Sequence, residues 1–265
     1  MKKIGFLLLL MMFISCEEVI DVELEETEPR LVIEASLVWN NEEETNLQSI
    51  ILTTTAPYFD DKVPPATGAS VKITTETDEE YFFYEVSEGI YQNNNIIPVE
   101  NSPYQLEVIY EDEVYIATEE YYSTPNLLFV EQELGGFSGD EYEFKVFYED
   151  PVDAENFYFF RYLNEQYSLQ IYNDEFTNGN QTFAFLSDED AKEGDLVLFE
   201  IQGISGRFYD YMFILRSQAG ASNGGPFQTH PSIVRGNIVN QTNSENFPFG
   251  YFRLSEVDVL TYEVK

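Results

Sequence analysis

The cysteine at position 16 has the chemistry that its neighbours dictate most closely. It follows Ser15 at the end of an apolar segment, precedes Glu17-Glu18, and is the single cysteine of the chain. A small residue directly before a cysteine is the arrangement that bacterial lipoprotein processing requires. We therefore predict cleavage between Ser15 and Cys16 and attachment of a diacylglycerol to the Cys16 sulfur. An ordinary secretory signal with an incidental cysteine is the alternative interpretation.

The residues before Cys16 have the layout of an export signal. Lys2 and Lys3 form a positive start, and the run from Ile4 to Ile14 contains no charge. That run falls within the ~7–15 residues of a signal's apolar region and is short of the ~20 needed to span a membrane. Residues 1–15 are therefore predicted to be a lipoprotein signal peptide.

Catalytic and metal-binding motifs are sparse in the sequence. His230 is the single histidine, so a zinc site of the Cys/His kind lacks ligands. A serine triad would need His230 as its base, and no serine lies on a nucleophile elbow. The sequence also has no phosphate-binding glycine loop and no dinucleotide fingerprint. We predict a protein that is not an enzyme and has no cofactor.

Clusters of acidic residues leave two further chemistries to weigh. Paired carboxylates could serve glycoside hydrolysis, and oxygen-rich loops could bind calcium. The calcium candidates are Asp60-Asp61, Asp78-Glu79-Glu80 and Asp188-Glu189-Asp190. None has the spacing of a known calcium loop, so solvated turns are the preferred interpretation, and calcium binding stays open.

The overall charge of the chain restricts its partners. The sequence has 49 Asp and Glu against 13 Lys and Arg, which gives a formal net charge of −36 at pH 7. Such a surface repels nucleic acid phosphates, so no nucleic acid partner is expected. Residues 16–29 are predicted to be an acidic tether, in which Glu17 and Glu18 are candidates for a signal that sorts lipoproteins to the cell surface.

Alternation of apolar and polar residues predicts a mainly β protein. Over residues 30–124 it favours short strands, which we interpret as an immunoglobulin-like β-sandwich. Residues 125–265 are predicted to form a second β-rich domain. Its final strands are expected at 233–239, 251–254 and 256–264. An amphipathic helix is predicted over about 205–219, because Phe208, Tyr211, Met212 and Leu215 recur at helical spacing.

A set of ordered stretches resembles the DUF4249 family of bacterial outer-membrane-type lipoproteins. In the first half they are Leu31 to Ala35, Gly68 to Val71, and Gly89-Ile90-Tyr91. In the second half they are Asp150-Pro151 before Asn156-Phe157-Tyr158 and Arg161, Asn173 to Phe176 with Asn178-Gly179, Phe208 to Tyr211, Gly236-Asn237-Ile238 and Gly250-Tyr251-Phe252. The resemblance implies no catalytic residues. The matched residues are of types that serve structure, such as glycines in turns and aromatic residues in packing.

The resemblance implies a role in transport. Genes of the family often lie beside TonB-dependent outer-membrane receptors, so the expected function is an accessory binding or docking module for such a transporter. The expected location is the outer membrane, lipid-anchored on its periplasmic face or at the cell surface. The alternative is a structural or adhesive surface lipoprotein without a transport role.

Two late loops are the candidate partner-binding surface. Residues 222–231 carry Phe227 and His230 among glycines and prolines, and an aromatic side chain at a loop tip can anchor a partner. Residues 240–249 are longer and more polar than the family pattern predicts. The competing interpretation is that Phe227 closes the end of its domain.

We predict that Cys16→Ala abolishes membrane attachment, because the substitution removes the sulfur that carries the diacylglycerol. Two acyl chains suffice for stable anchoring, since each buried CH₂ contributes ~0.8 kcal/mol. Cell fractionation should place the variant in the soluble fraction and the parent protein in the membrane pellet. A variant that pellets like the parent protein would contradict the assignment of the lipid to Cys16.

Overall fold

A computed structural model describes residues 28–57, 60, 62–100, 102–135, 139, 141–152, 154–165, 167–219 and 233–265. The first strands are β1 (Leu31–Asn40), β2 (Gln48–Thr54), β3 (Ser70–Thr75), β4 (Glu80–Ser87), β5 (Ile90–Asn93), β6 (Pro103–Tyr110) and β7 (Glu113–Tyr122). The next are β8 (Leu127–Gly135), β9 (Glu141–Glu149), β10 (Phe157–Leu163), β11 (Tyr167–Asn173), β12 (Gln181–Asp188) and β13 (Leu196–Ile204). They are followed by helix α1 (Gly206–Ala219), β14 (Val239–Asn240) and β15 (Phe249–Glu263).

The first seven strands and β15 close into a barrel-like ring. Their order is β15-β1-β2-β5-β4-β3-β6-β7, and β7 returns to β15 through the pairs Leu254↔Tyr121 and Ser255↔Tyr122. Alternate residues of β1 face the interior, so Ile33, Ala35 and Leu37 have no exposed surface. The opposite face of β1 carries Glu34 and Ser36, which are exposed.

The second half of the chain packs two sheets face to face. One sheet contains β11, β10, β13 and the end of β15, and the other contains β12, β9 and β8. Phe144, Phe160 and Phe199, each fully buried, belong to the core between them. Helix α1 packs on the outer face of the first sheet, where Phe208 contacts Phe159. No helix in the described part of the chain is long and apolar enough to cross a membrane.

The structure confirms some of the predicted elements and corrects others. A mainly β protein with a helix near 205–219 is confirmed. The strands of 30–124 form a closed ring that includes β15, so the arrangement differs from the predicted immunoglobulin-like sandwich. The two strands predicted at 251–254 and 256–264 are one continuous strand. Residues 233–238 are not a strand, so only Val239 of the strand predicted at 233–239 belongs to a strand, the short β14.

Glycine at position 250 allows β15 to reach β1. The two strands run parallel from Val32↔Phe249 to Asn40↔Val257. Gly250 has a φ of +97°, and a Cβ atom there would lie 2.0 Å from the Ile33 carbonyl oxygen. A side chain at this position would therefore clash with backbone, which cannot move without displacing β1.

We predict that Gly250→Ala lowers the free energy of unfolding by at least about 3 kcal/mol or prevents folding. The strain of a positive φ would add to the clash of the new Cβ atom with the backbone of β1. Gly194→Ala is the matched control, since Gly194 has a φ of +91° but a Cβ added there would have no atom within 4 Å. It should cost only about 1–2 kcal/mol. Urea unfolding of both variants makes the measurement, and equal losses would show that close approach at Gly250 is unimportant.

Candidate functional site

A groove of about 850 Å³ lies where the ring, helix α1 and the second half of the chain meet. Its floor is the outer face of β1, β2 and β15, and its walls come from α1 and from the start of the β10–β11 sheet. This volume is within the ~300–1,000 Å³ of small-molecule sites. The groove is therefore large enough to enclose a ligand.

A buried arginine lies at the base of this groove. Because Phe252 and Leu254 point into the ring, Arg253 between them points outward, and it is only 6% exposed. Its guanidinium donates from Nε to Ser36 Oγ at 3.1 Å and from Nη1 to Ser255 Oγ at 2.8 Å. A third bond runs from Nη2 to Gln202 Oε1 at 2.8 Å. Neutral oxygens therefore hold the group in place.

No ion pair in the described residues includes Arg253. Aromatic rings take the place of a carboxylate, since its guanidinium carbon lies 4.9 Å from the centre of Phe208 and 5.4 Å from that of Phe159. Burial, followed by the nearby charge of Arg161, lowers the pKa of Arg253 to about 10. The group therefore remains a cation at neutral pH.

Arg161 of β10 brings a second guanidinium to the groove. Its Nη1 lies 3.1 Å from Glu200 Oε2, and its guanidinium carbon lies 5.2 Å from the centre of the Tyr167 ring. Its Nε is buried and has no hydrogen-bond partner in the described structure. A buried donor without an acceptor costs about 1–3 kcal/mol. Arg161 therefore has unused hydrogen-bonding capacity.

Helix α1 supplies the apolar wall. Ser205 caps its start, because Ser205 Oγ accepts a hydrogen bond from Phe208 N at 3.1 Å. Phe208 and Tyr211 each place a ring 4.9 Å from that of Tyr251 on the groove floor. Met212 also lines the groove. The predicted helical stripe thus faces this groove.

The composition of the groove determines what it can do. Guanidinium groups donate paired hydrogen bonds to oxygen anions, and aromatic faces contact apolar groups. Sequence reasoning did not identify Arg253 or assign a binding role to Arg161. The available signal was an arginine inside the apolar run from Tyr251 to Leu254. A charge at such a position must face a polar site or a partner.

Most of the predicted site residues lie outside the described part of the chain. They are Ser15, Cys16, Glu17, Glu18, Phe227 and His230. The second late loop is described, and its polar residues bond to each other and to β7. Asn240 Oδ1 accepts from Thr242 N at 3.0 Å and Asn243 N at 2.9 Å, while its Nδ2 donates to Glu113 at 3.0 Å.

A stacked aromatic side chain holds the end of this second loop. Phe247 lies between two guanidinium carbons, that of Arg30 at 3.9 Å and that of Arg235 at 3.6 Å from the ring centre. Arg30 also donates to the Glu245 carbonyl oxygen at 2.9 Å. The polar composition of the loop is thus explained by its internal contacts and by its attachment to residues just before β1.

The aromatic run from Phe157 to Tyr162 divides between two layers. Tyr158, Phe160 and Tyr162 are buried in the core between the sheets, and Phe157 and Phe159 lie beneath α1. These side chains therefore pack in the interior of the protein. The run from Tyr81 to Tyr84 differs, because Phe83 is buried whereas Tyr84 is 70% exposed.

The candidate calcium residues are partly described. Asp188 is buried and accepts hydrogen bonds from Tyr162 Oη at 2.7 Å, Asn164 Nδ2 at 3.0 Å and Asp190 N at 2.8 Å. Protein donors therefore surround this carboxylate. Among the residues that the structure describes, no group of three or more His, Cys, Asp or Glu is arranged to hold a metal ion.

A second buried ionisable group lies where β7 meets the start of α1. Glu119 is 7% exposed and accepts from Ser205 Oγ at 3.1 Å and from Tyr251 Oη at 3.3 Å. Burial raises the pKa of Glu119 above its ordinary value, although these hydrogen bonds act in the opposite direction. The stabilising contribution of this group is therefore complete below the unfolded-state pKa and is lost as pH rises through the folded-state pKa.

We predict that Glu119→Gln becomes more stable relative to the parent protein as pH rises from about 4 to 8, because the amide carries no charge to bury. Denaturant unfolding at several pH values makes the measurement, with Glu120→Gln on the exposed neighbouring residue as the control. Parallel stability curves for Glu119→Gln and the parent protein would contradict the prediction.

Solved structures that are similar to this chain are distant. Chicken interferon gamma receptor alpha chain is 11% identical, with 66% of this chain and 88% of that chain covered and a TM-score of 0.22. A two-domain fibronectin type III segment of chicken tenascin is 8% identical, with coverage of 62% and 91% and a TM-score of 0.22. A DUF4785 family protein of Legionella pneumophila is 9% identical, with coverage of 68% and 54% and a TM-score of 0.24.

These TM-scores carry no argument about topology, which rests on the strand pairing described above. No curated protein matches the chain. The family model described as "Domain of unknown function (DUF4249)" matches residues 17–261. This match confirms the resemblance seen in the sequence motifs, and because it covers nearly all of the chain, the chain belongs to the DUF4249 family.

Proposed function

We propose that this chain is a membrane-anchored, non-enzymatic lipoprotein that binds a ligand as an accessory module of a TonB-dependent outer-membrane transporter. The observation that carries the proposal is the groove between the ring and α1, which combines two guanidinium groups with aromatic walls. Concave sites of this size with few, fixed polar groups are typical of ligand binding.

Binding suits the groove better than catalysis does. General acid–base or nucleophilic catalysis needs a reactive group within hydrogen-bond reach of an activating base. The hydroxyl of Ser36 instead accepts from Arg253, and the carboxylate of Glu200 is paired with Arg161. These groups are engaged in holding guanidiniums, which is the arrangement of a recognition site.

The N-terminal motif supports a membrane location for the protein in this proposal. Lipid on Cys16 would anchor the chain, and the acidic tether would separate the ring from the bilayer surface. An outer-membrane location, on the periplasmic face or at the cell surface, agrees with the transport association that the DUF4249 resemblance implied. Glu17 and Glu18 are the candidate signal for the cell surface.

A structural or adhesive surface protein is the second candidate function. The observation in its favour is a row of aromatic side chains on the outer face of the β8–β9–β12 sheet. Phe129 is 42% exposed and Phe183 and Phe185 are each 41% exposed, while Phe129 stacks on Phe147 at 4.5 Å. Exposed apolar patches mark interaction surfaces, so this face suits contact with another macromolecule.

We predict that the lipidated protein, captured by a C-terminal tag from solubilised outer membranes, recovers a TonB-dependent receptor. The double substitution Phe227→Ser and His230→Ser should lower receptor recovery roughly tenfold while leaving the thermal midpoint unchanged, because loss of one interface anchor costs about 1–2 kcal/mol. Phe213→Ser is the control, since Phe213 is an aromatic residue 61% exposed on α1.

Three results would count against this assignment. Absence of any transporter from the captured material would remove the transport role. If receptor recovery falls only with Phe129→Ser and Phe183→Ser, the interface is the outer face of the β8–β9–β12 sheet. A fall of several degrees in the thermal midpoint of the late-loop variant, with unchanged recovery per folded molecule, would show that Phe227 is structural.

A further inference from the structure

We infer that the groove binds a monoanionic carboxylate carried on an aromatic or aliphatic body, with Arg161 and Arg253 receiving the carboxylate. This inference deepens the proposed function, on which it rests for the idea that the groove is a binding site. It adds the chemical class of the ligand.

Arg253 is a buried cation at the base of the groove. This guanidinium is nine-tenths buried, and in the described residues its hydrogen bonds go to two hydroxyls and one amide oxygen. An arginine has five N–H donors, so these three bonds leave two donors for another acceptor. A buried cation is costly to hold without a counter-charge, and Glu200, the carboxylate whose charge acts on Arg253, is itself paired with Arg161. An anion in the groove would supply that counter-charge.

Arg161 lines the same groove as Arg253. One side of its guanidinium is paired with Glu200 Oε2 at 3.1 Å, whereas its Nε is buried without a partner. Arg161 and Arg253 both line the groove and raise each other's electrostatic energy. Like charges held at one site are stabilised by an anion that contacts both. The two arginines therefore point to a shared anionic ligand.

The surroundings of the two arginines favour a carboxylate over phosphate or sulfate. Glu34 lines the groove, and Glu200 is paired with Arg161. The charges of these two carboxylates would oppose a dianion more strongly than a monoanion. A planar carboxylate also matches the flat fork of a guanidinium with two parallel hydrogen bonds. These features favour a single negative charge on two coplanar oxygens.

The apolar lining of the groove indicates what the carboxylate is attached to. A volume of about 850 Å³ far exceeds a carboxylate group, and Phe208, Tyr211, Met212 and Tyr251 line the rest of the groove. Aromatic and thioether side chains gain most from contact with flat or branched apolar groups. The carboxylate could belong to a free organic acid or to the C-terminus of a peptide, and both sources present the same chemistry.

The test uses the full chain with Cys16→Ala, so that lipid does not bind the probes. Isothermal titration is performed with 3-phenylpropionate and its amide, and with the peptide acetyl-Ala-Ala-Phe and its C-terminal amide. We expect at least one acid to bind at least tenfold more tightly than its own amide. If only 3-phenylpropionate binds more tightly than its amide, the ligand is a free acid. If only the peptide acid binds more tightly than its amide, the ligand is the C-terminus of a peptide. Inorganic phosphate is titrated in parallel and should bind at least tenfold more weakly.

Two variants test the groove itself. Arg161→Gln should weaken binding of the acid at least tenfold without affecting the amide, while Arg207→Gln, on an exposed arginine of α1, should bind like the parent protein. Met212→Trp fills the apolar part of the groove, keeps both guanidiniums, and should weaken the acid at least tenfold. Thermal melts establish that each variant is folded before titration.

The outcomes separate this inference from the transport role. Equal binding of acid and amide, equal binding of phosphate, unchanged binding by folded Arg161→Gln, or no binding of any acid by the parent protein overturns the carboxylate site. Receptor capture is measured without added acid. Recovery of a receptor by a protein that binds no acid refutes only the inference, and acid binding without receptor recovery refutes only the transport role.

Discussion

The pairing of β15 is the constraint on which the rest of the structure depends. Its first half pairs with β1, its middle contacts β7, and its second half pairs with β13. Without it, β1, β7 and β13 would each expose an unpaired edge, which is unfavourable in a folded protein. One strand near the C-terminus therefore closes the ring formed by the first half and completes a sheet of the second half.

The close packing around β15 has a local cause in two glycines. A Cβ on Gly236 would lie 1.7 Å from the Gly250 carbonyl oxygen, and one on Gly250 would lie 2.0 Å from that of Ile33. Three backbone segments thus stack where side chains would keep them apart. Both glycines belong to the motifs that carried the family resemblance, so these motif residues serve the packing of β15 and its neighbours.

The limits of sequence prediction follow from the same constraint. Alternation located most strands and the spacing of Phe208, Tyr211 and Met212 located the helix, because both signals are local. Nothing local shows that Val32 pairs with Phe249 across more than 200 residues, so closure of the ring was missed. The groove was missed for the same reason, since Arg161 and Arg253 approach each other only through the pairing of β10, β13 and β15. The prediction of a lipid anchor at Cys16 needs no tertiary information, because it depends only on contiguous residues.

The placement of Arg253 on β15 connects binding to the integrity of the fold. Its hydrogen bonds reach Ser36 on β1 and Gln202 on β13, so this one side chain joins the ring to the second half of the chain. A buried cation held by neutral groups contributes little to stability compared with an apolar residue of similar size. The proposed carboxylate ligand would account for a cation at this position. A carboxylate bound there would contact residues of both halves and, because it would bind only the assembled groove, would stabilise their association in proportion to its concentration.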